Sequence, residues 1–338
     1  IYIFLAKAFV GKTETKKKQL KFLVITGIGI IFVMGMRYPH YDVVYDLDVY
    51  YAYYNKIANT SWSNIFSVDR FEPGYAILNK LLSILIPWPQ FIFIFEAFFC
   101  VYCISRFIYS NSDHPFECII YYVTLGTMVF QLTAFRQAFA ISICLLSIEY
   151  IKKRKFIPFM IMIVFAWSFH QTAIVFIFAY FFLNRPLIKK QKIMSIALII
   201  LINASTTILI EIGSKLFNMY YTGYIGNKFG GLVPIVIYII ILVFTFVRIN
   251  NESVYLGTNM TTVGLAIYLT RYQVLALERV SFFFTPGAII VLPEIFNPIK
   301  DKKTKQIMNA VAIILSIALF IYRLSYAEYA DYEFFWKR

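Results

Sequence analysis

The stretch PFECIIYYVTLGTMVFQLTAFRQAFAISICLLSIEYI, residues 115–151, decides the fold class of this chain. Its residues are mostly apolar over a length that suits two short membrane-spanning helices, and Arg136 lies in its middle. A guanidinium keeps its charge and is costly at membrane depth, so such a residue usually faces a protein interior or a water-filled cavity. The stretch therefore predicts a helical membrane protein with a polar interior at Arg136.

Composition gives the same class. Hydrophobic residues make up 60% of the 338 residues and charged residues only 15%, which exceeds what a soluble domain buries around one core. The net charge of +14 would suit nucleic acid, but the basic residues form short clusters between apolar runs, as in cytoplasmic loops. We therefore expect a polytopic membrane protein that contacts membrane lipids and has no nucleic-acid partner. The four cysteines predict no disulfide framework.

The basic clusters orient the chain. Because cytoplasmic loops are enriched in Lys and Arg, we place Lys12–Lys21, Lys152–Lys155, Arg185–Lys192 and Lys300–Lys305 inside the cell. The apolar runs then predict an all-α transmembrane bundle of about twelve spans, some short or re-entrant. The chain begins at Ile1 rather than Met, so we expect Ile1–Val10 to be the end of a first span. The other predicted spans are Phe22–Met36, Phe91–Ile108, Phe116–Ala134, Gln137–Tyr150, two short helices within Phe156–Leu183, Ile193–Ile212, Leu232–Val247, Val254–Thr270, Val280–Phe296 and Ile307–Leu324.

Residues 37–90 are the longest predicted segment outside the membrane, on the periplasmic or extracellular side. Pro73 suits the first turn of a helix, and the apolar spacing after it predicts an interfacial or re-entrant helix near residues 73–87. Between two basic clusters, Phe156–Leu183 is best explained as a hairpin with Ser168–Gln171 at its outer apex. Glu96 lies inside a span and either pairs with an arginine or marks a proton path.

Eight charged or titratable residues fall on or near the outer face in this topology, although they come from separate parts of the chain. They are Asp46, Asp69, Glu72, Arg136, His170, Arg271, Glu278 and Arg279. A guanidinium fork binds two phosphate oxygens at once, so three arginines around one cavity predict a pyrophosphate site. The alternative is that each arginine anchors the protein at the interface or pairs with a carboxylate, as Arg271 and Arg279 could with Glu278.

The remaining polar residues suggest sugar chemistry. His170 could act as a general base or hydrogen-bond to a phosphate, and Asp46 or Glu72 could deprotonate or hold a sugar hydroxyl. A histidine satisfied at a helix turn and solvated loop carboxylates are the alternatives. External tyrosines such as Tyr50 could stack on sugar rings. No cluster with metal-ligand spacing and no phosphate-cradling glycine loop is present, so we expect no metal and no cofactor.

Four motifs resemble those of the EpsG/Wzy-like bacterial polysaccharide polymerases, from about residue 22 to residue 297. Each motif is short, but their order and their placement on one face make the set specific. They are Tyr45-Asp46 with Tyr50, Phe71-Glu72-Pro73-Gly74-Tyr75, Phe135-Arg136-Gln137-Ala138-Phe139-Ala140, and Ala166-Trp167-Ser168-Phe169-His170-Gln171-Thr172-Ala173. Glu278-Arg279-Val280-Ser281-Phe282-Phe283 is a less sharp fit.

The resemblance implies a GT-C-like fold and a reaction. Such enzymes lengthen O-antigen, capsule or exopolysaccharide outside the bacterial inner membrane, by transferring a glycan from undecaprenyl pyrophosphate to the terminal sugar hydroxyl of an incoming lipid-linked repeat unit. The resemblance also allows a chain-length regulator protein as a further partner. We expect His170, Asp46 and Glu72 to be catalytic and Arg136, Arg271 and Arg279 to bind pyrophosphate. Gln137, Tyr50 and Glu278 are weaker candidates for substrate binding.

Two other functions remain open at this stage. A flippase or other transporter of lipid-linked oligosaccharides could also carry arginines in a cavity, but it should show internal repeats and polar residues that face both sides. A membrane O-acyltransferase would also use a histidine, but it needs access to a cytoplasmic acyl donor. The one-sided set of polar residues favours the polymerase.

Overall fold

The computed structural model describes residues 1–12, 15–38, 47–69, 71–185, 252–272, 277–326 and 332–337, and scattered positions between 193 and 243. Every regular element in this part of the chain is helical, apart from a single bridge between Arg37 and Phe334. The chain divides into two compact units, residues 1–177 with 310–338, and residues 178–309. Each unit is described by itself.

The first unit holds most of the described helices. They are α1 (Tyr2–Val10), α2 (Lys16–Gly35), α3 (Leu47–Ala58), α4 (Pro73–Leu85), α5 (Gln90–Asn111), α6 (Pro115–Thr124), α7 (Thr127–Thr133), α8 (Phe135–Lys152) and α9 (Phe156–Trp167). A short 3-10 helix, Trp62–Ser67, lies between α3 and α4, and another, Gln171–Phe178, follows α9.

Membrane-crossing helices are present in the described part of the chain. Three helices are long and apolar enough to cross a bilayer: Lys16–Gly35, Gln90–Asn111 and Lys302–Ser325. The bent pair of α6 and α7 makes a fourth if it counts as one span. The chain is thus a helical membrane protein, and the larger number of about twelve spans stays a prediction.

Contacts at one end of the first unit join α2, α5 and α8. The side-chain amide of Gln90, at the start of α5, donates hydrogen bonds of 2.8 Å to the carbonyl oxygens of Gly35 and Arg37 at the end of α2. Phe135, the first residue of α8, packs edge to face on Phe93 of α5 with 4.9 Å between ring centroids. We call this end of the unit the arginine end, because Arg136 lies there.

The opposite end carries ion pairs. Lys16 at the start of α2 lies 2.9 Å from Asp113, just after α5, and the hydrogen bond it donates lowers the pKa of that carboxyl group. Arg106 near the end of α5 lies 2.8 Å from Glu149 near the end of α8. The helix α2 therefore runs towards the arginine end, whereas α5 and α8 both run away from it. These directions agree with the order of the predicted spans.

One predicted span differs in shape from expectation. Phe116–Ala134, predicted as a single span, is broken into α6 and α7, which are bent by 50°. Gly126 lies at the break with a φ of 99°, a left-handed conformation that a glycine adopts without the strain of a Cβ. The glycine in an otherwise apolar run is the sequence signal for this break.

Residues 37–90 contain more structure than predicted. A helix, Pro73–Leu85, lies where one was predicted, with Pro73 in its first turn; its depth in the membrane stays a prediction. The structure adds α3, which the sequence reading missed. Leu47, Tyr50, Tyr54 and Ile57 are buried at helical spacing on α3, and this periodicity was the available signal.

Two short apolar segments occupy the place of the predicted hairpin. The helix α9 ends at Trp167, a turn covers Ser168–His170, and the 3-10 helix begins at Gln171. The chain therefore breaks at the predicted apex. The four-residue helix α10, Ala179–Phe182, follows.

The second unit is described mainly by α11 (Glu252–Leu269), α12 (Glu278–Ser281) and α13 (Pro286–Val291). The predicted span Val254–Thr270 corresponds to α11, whereas Val280–Phe296 is interrupted by turns rather than continuous. The predicted spans 193–212 and 232–247 and the loop between them lie largely outside the described residues. The last helix, α14 (Lys302–Tyr326), begins within the residues of this unit and continues into those of the first.

Candidate active site

The arginine end of the first unit is built around an ion pair between Arg136 and Glu72. Nη1 of Arg136 lies 2.6 Å from Oε2 of Glu72. Arg136 is the second residue of α8 and Glu72 immediately precedes α4, so two helix starts bring the pair together. The guanidinium also lies 4.4 Å from the centroid of the Phe71 ring, a cation–π contact. The polar partner of Arg136 is therefore a carboxylate from the FEPGY motif.

The guanidinium keeps some capacity for another ligand. The side chain of Arg136 is 23% exposed and that of Glu72 is 11% exposed. Nε of Arg136 is buried and has no hydrogen-bond partner within the described residues. Because a guanidinium has five N–H donors in a flat fork, an ion pair through one nitrogen does not use up its ability to bind phosphate.

An aromatic cluster supports this pair. The ring of Tyr50 is stacked on Phe135 at 4.8 Å, with 6° between the planes, and packs edge to face on Tyr75 at 5.7 Å. Its hydroxyl lies close enough to the Arg136 guanidinium to interact with it electrostatically. Tyr50 is 3% exposed, so its ring supports the arginine here and presents no face to a sugar. Burial raises the pKa of the neighbouring Tyr53 to about 12, which keeps that phenol neutral.

A close backbone contact joins the turn before Gln171 to the FEPGY motif. The amide of Gly74 donates a 2.8 Å hydrogen bond to the carbonyl oxygen of Ser168. A Cβ at position 74 would lie 2.3 Å from Oγ and 2.7 Å from the carbonyl oxygen of Ser168, so a side chain does not fit. Phe169 is stacked on Phe139 of α8 at 5.5 Å. The two motifs thus meet α8 at one place.

His170 lies in that turn with a defined ring orientation. Its Nδ1 is 2.6 Å from Oγ1 of Thr172 and 3.3 Å from the amide nitrogen of Thr172. An amide can only donate, so we assign Nδ1 as an acceptor, which places the proton of the neutral ring on Nε2. Nε2 of the half-buried His170 then carries an N–H donor, a group suited to an anionic oxygen.

The second unit holds the other predicted arginines. Nη1 of Arg271 lies 3.1 Å from Oε1 of Glu278, and the guanidinium lies 5.1 Å from the Tyr268 ring centroid. Arg279 is exposed. The local pairing of Arg271 with Glu278 is the alternative that the sequence left open. Arg271, Glu278 and Arg279 thus form a second arginine site, which belongs to the second unit.

Gln137 and Asp46 are two further predicted site residues. Gln137 is 2% exposed inside the bundle, so it does not line an open cavity in this structure. Asp46 lies outside the described residues. The described part of the chain brings no group of three His, Cys, Asp or Glu residues together in a metal-binding arrangement.

The sequence reading missed Arg37. Nη2 of Arg37 lies 3.9 Å from Oε2 of Glu96, inside the arginine end, with side chains that are 5% and 0% exposed. Of the two alternatives for Glu96, the structure shows pairing with an arginine. Arg37 directly follows an apolar run, and an arginine in that position is usually an interfacial anchor. The sequence signal for a buried arginine was therefore only Glu96, an acid inside a predicted span.

Comparison with known proteins gives one match. The family model described as "EpsG family" matches residues 4–337, essentially the whole chain. No curated protein and no solved structure matches the chain.

Proposed function

Because the chain belongs to the EpsG family, we propose that it is a polysaccharide polymerase of the bacterial inner membrane. Its reaction transfers a growing glycan from undecaprenyl pyrophosphate to the terminal sugar hydroxyl of an incoming lipid-linked repeat unit. The observation that carries the proposal is the junction at the arginine end, where Arg136, Glu72 and the His170 turn meet. A cation and a carboxylate beside a turn that carries an imidazole suit a reaction with an anionic leaving group and a hydroxyl acceptor.

The proposed topology puts this junction outside the cell. In the proposed bundle of about twelve spans with a GT-C-like arrangement, residues 37–90 lie on the outer side. The arginine end then faces the periplasm or cell exterior. The ion pairs of Lys16 and Arg106 then lie at the cytoplasmic end. Lipid-linked substrates reach such a site from the outer leaflet, and a chain-length regulator would act on the same side.

Arg136 is proposed to bind the pyrophosphate. Charge develops on the leaving diphosphate as the glycosidic bond breaks, and a preorganised guanidinium stabilises it without a metal. Glu72 orients the guanidinium before the substrate arrives, and the exposed part of the Arg136 side chain, 23% of its surface, receives the phosphate oxygens. Arg271 and Arg279 are also proposed to bind pyrophosphate, with Glu278 orienting Arg271.

The acceptor hydroxyl needs a base. Glu72 and Asp46 are the proposed carboxylates, because each could accept the proton as the sugar oxygen attacks the anomeric carbon. His170 is proposed to donate its Nε2 proton to a phosphate or sugar oxygen rather than to act as the base, since its Nδ1 accepts from Thr172. No metal or cofactor enters this mechanism.

The proposal is tested by polymer length in cells. Arg136→Ala and His170→Ala should each abolish long polymer and leave single repeats on the lipid. Arg106→Ala is the matched control, because it removes an arginine–glutamate pair of 2.8 Å from the opposite end of the unit. Wild-type polymer length in both test variants, at wild-type protein levels, would refute the assignment of the site.

A further inference from the structure

A second buried ion pair lies behind the first. Arg37 and Glu96 are separated by 3.9 Å between Nη2 and Oε2, and both are almost fully buried. Within the described residues, Nε and Nη2 of Arg37 and Oε2 of Glu96 make no hydrogen bond. A buried pair repays the loss of water only with close geometry and satisfied donors and acceptors. The stability of the fold therefore does not explain this pair.

The guanidinium of Arg37 lies against two aromatic rings. Its central carbon is 5.1 Å from the Phe93 centroid and 4.9 Å from the Phe135 centroid. Cations are attracted to ring faces most strongly where water is excluded. Phe135 is fully buried and directly precedes Arg136 at the start of α8. The position of the Arg37 side chain is thus coupled to the first turn of α8.

Tyr50 completes the connection to the site. Its ring is stacked on Phe135, and its hydroxyl interacts electrostatically with the Arg136 guanidinium. Two stacked rings therefore separate the buried guanidinium of Arg37 from the site guanidinium of Arg136. A shift of Phe135 would move both the backbone that carries Arg136 and the tyrosine that holds it.

The backbone of Arg37 is fixed independently of Glu96. Gln90 donates to the carbonyl oxygens of Gly35 and Arg37, and Arg37 itself donates from Nη1 to the carbonyl oxygen of Met34. Met34 thus holds Nη1 of the guanidinium, and the carboxylate of Glu96 is the charge that faces its Nη2 among the described residues.

We propose that Arg37 and Glu96 are positioning residues, whose charge pair fixes Phe135 and Tyr50 and through them the guanidinium of Arg136. The catalytic consequence rests on the proposed function of Arg136. Transition-state stabilisation depends on placement to a fraction of an ångström, so a displaced Arg136 should lower turnover more than substrate binding.

The kinetic test uses a double variant that removes both charges. Arg37→Met with Glu96→Leu replaces the pair by apolar groups, an exchange that folds are known to tolerate. We expect kcat with lipid-linked repeats to fall about tenfold or more while KM changes less than about threefold. Ser142→Ala, which removes only the hydrogen bond to Cys100 beside Glu96, should retain wild-type kinetics. Wild-type kcat in the double variant would overturn the proposal.

A spectroscopic test does not depend on the reaction. With 4-fluorophenylalanine at position 135, the ¹⁹F resonance of the purified protein should shift or broaden in the double variant and stay unchanged in Ser142→Ala. An unchanged resonance in the double variant would overturn the positioning role, whatever the kinetics. If the wild-type protein does not polymerise lipid-linked repeats, the proposed function fails, and the ¹⁹F result still decides whether the pair positions Phe135.

Discussion

At the scale of single residues, the account depends on how Arg136 shares its charge. The guanidinium is paired with Glu72 at 2.6 Å and lies close to Tyr50, and 23% of its side chain stays exposed. In the proposed mechanism a diphosphate binds this exposed part and weakens the bond to Glu72. In the same proposal, the Glu72 carboxylate that is released from the arginine is available to the acceptor hydroxyl.

Arg136 and Glu72 should behave as one unit. We predict that Arg136→Ala and Glu72→Ala each lower polymer formation at least about tenfold. The double variant should be little worse than either single variant, because removing one member of a pair that acts together already removes the shared function. Turnover of lipid-linked repeats by the purified variants measures this. Fully multiplicative losses would show that the two residues act separately.

His170 should tolerate one specific replacement. An N–H donor at the position of Nε2 is reproduced by the side-chain amide of glutamine and not by alanine. We therefore predict that His170→Gln keeps measurable turnover, while His170→Ala loses it by about 100-fold. Equal loss in both variants, at equal folded protein, would identify His170 as the general base instead.

At the scale of elements, the contact between Gly74 and Ser168 fixes the start of α4 against the turn that carries His170. The backbones of Gly74 and Ser168 are in direct contact, since they share a hydrogen bond of 2.8 Å and leave no space for a Cβ at position 74. The elements that carry Glu72 and His170 are thus held against each other by a close contact between Gly74 and Ser168.

Gly74→Ala should open this junction. We expect it to cost about 1–3 kcal/mol of stability and to reduce polymer length, because the Cβ displaces the Ser168 carbonyl. Gly27→Ala is the control, since its Cβ would meet only a Val101 side-chain carbon at 3.3 Å. Thermal unfolding and polymer length report the two effects, and an unperturbed Gly74→Ala protein would contradict the geometry.

At the scale of the whole molecule, the charge asymmetry of the first unit predicts its orientation. All four cysteines are buried, so an introduced cysteine is labelled over a low background. We predict that a membrane-impermeant maleimide labels Asp69→Cys in intact spheroplasts, and Lys155→Cys only after the membrane is opened. The reverse pattern would place the arginine end in the cytoplasm and exclude an outward-facing site.

Much of this arrangement could be predicted from the sequence because the motifs are local and the basic clusters alternate with apolar runs. Pairing of each arginine with a carboxylate is one of the predicted alternatives, and the break at Ser168–His170 lies at the predicted apex. The Arg37–Glu96 pair could not be found, because it depends on which faces of α2 and α5 meet in three dimensions. The helix α3 was missed since its tyrosines suggested a polar loop.

The central claim is tested most directly with purified protein in lipid vesicles that contain lipid-linked repeat units. The account predicts that undecaprenyl pyrophosphate is released in step with growth of the glycan, that added chelator has no effect, and that Arg136→Ala stops both. Movement of intact lipid-linked repeats across the bilayer, without lipid pyrophosphate release or glycan growth, would contradict the account and indicate a flippase.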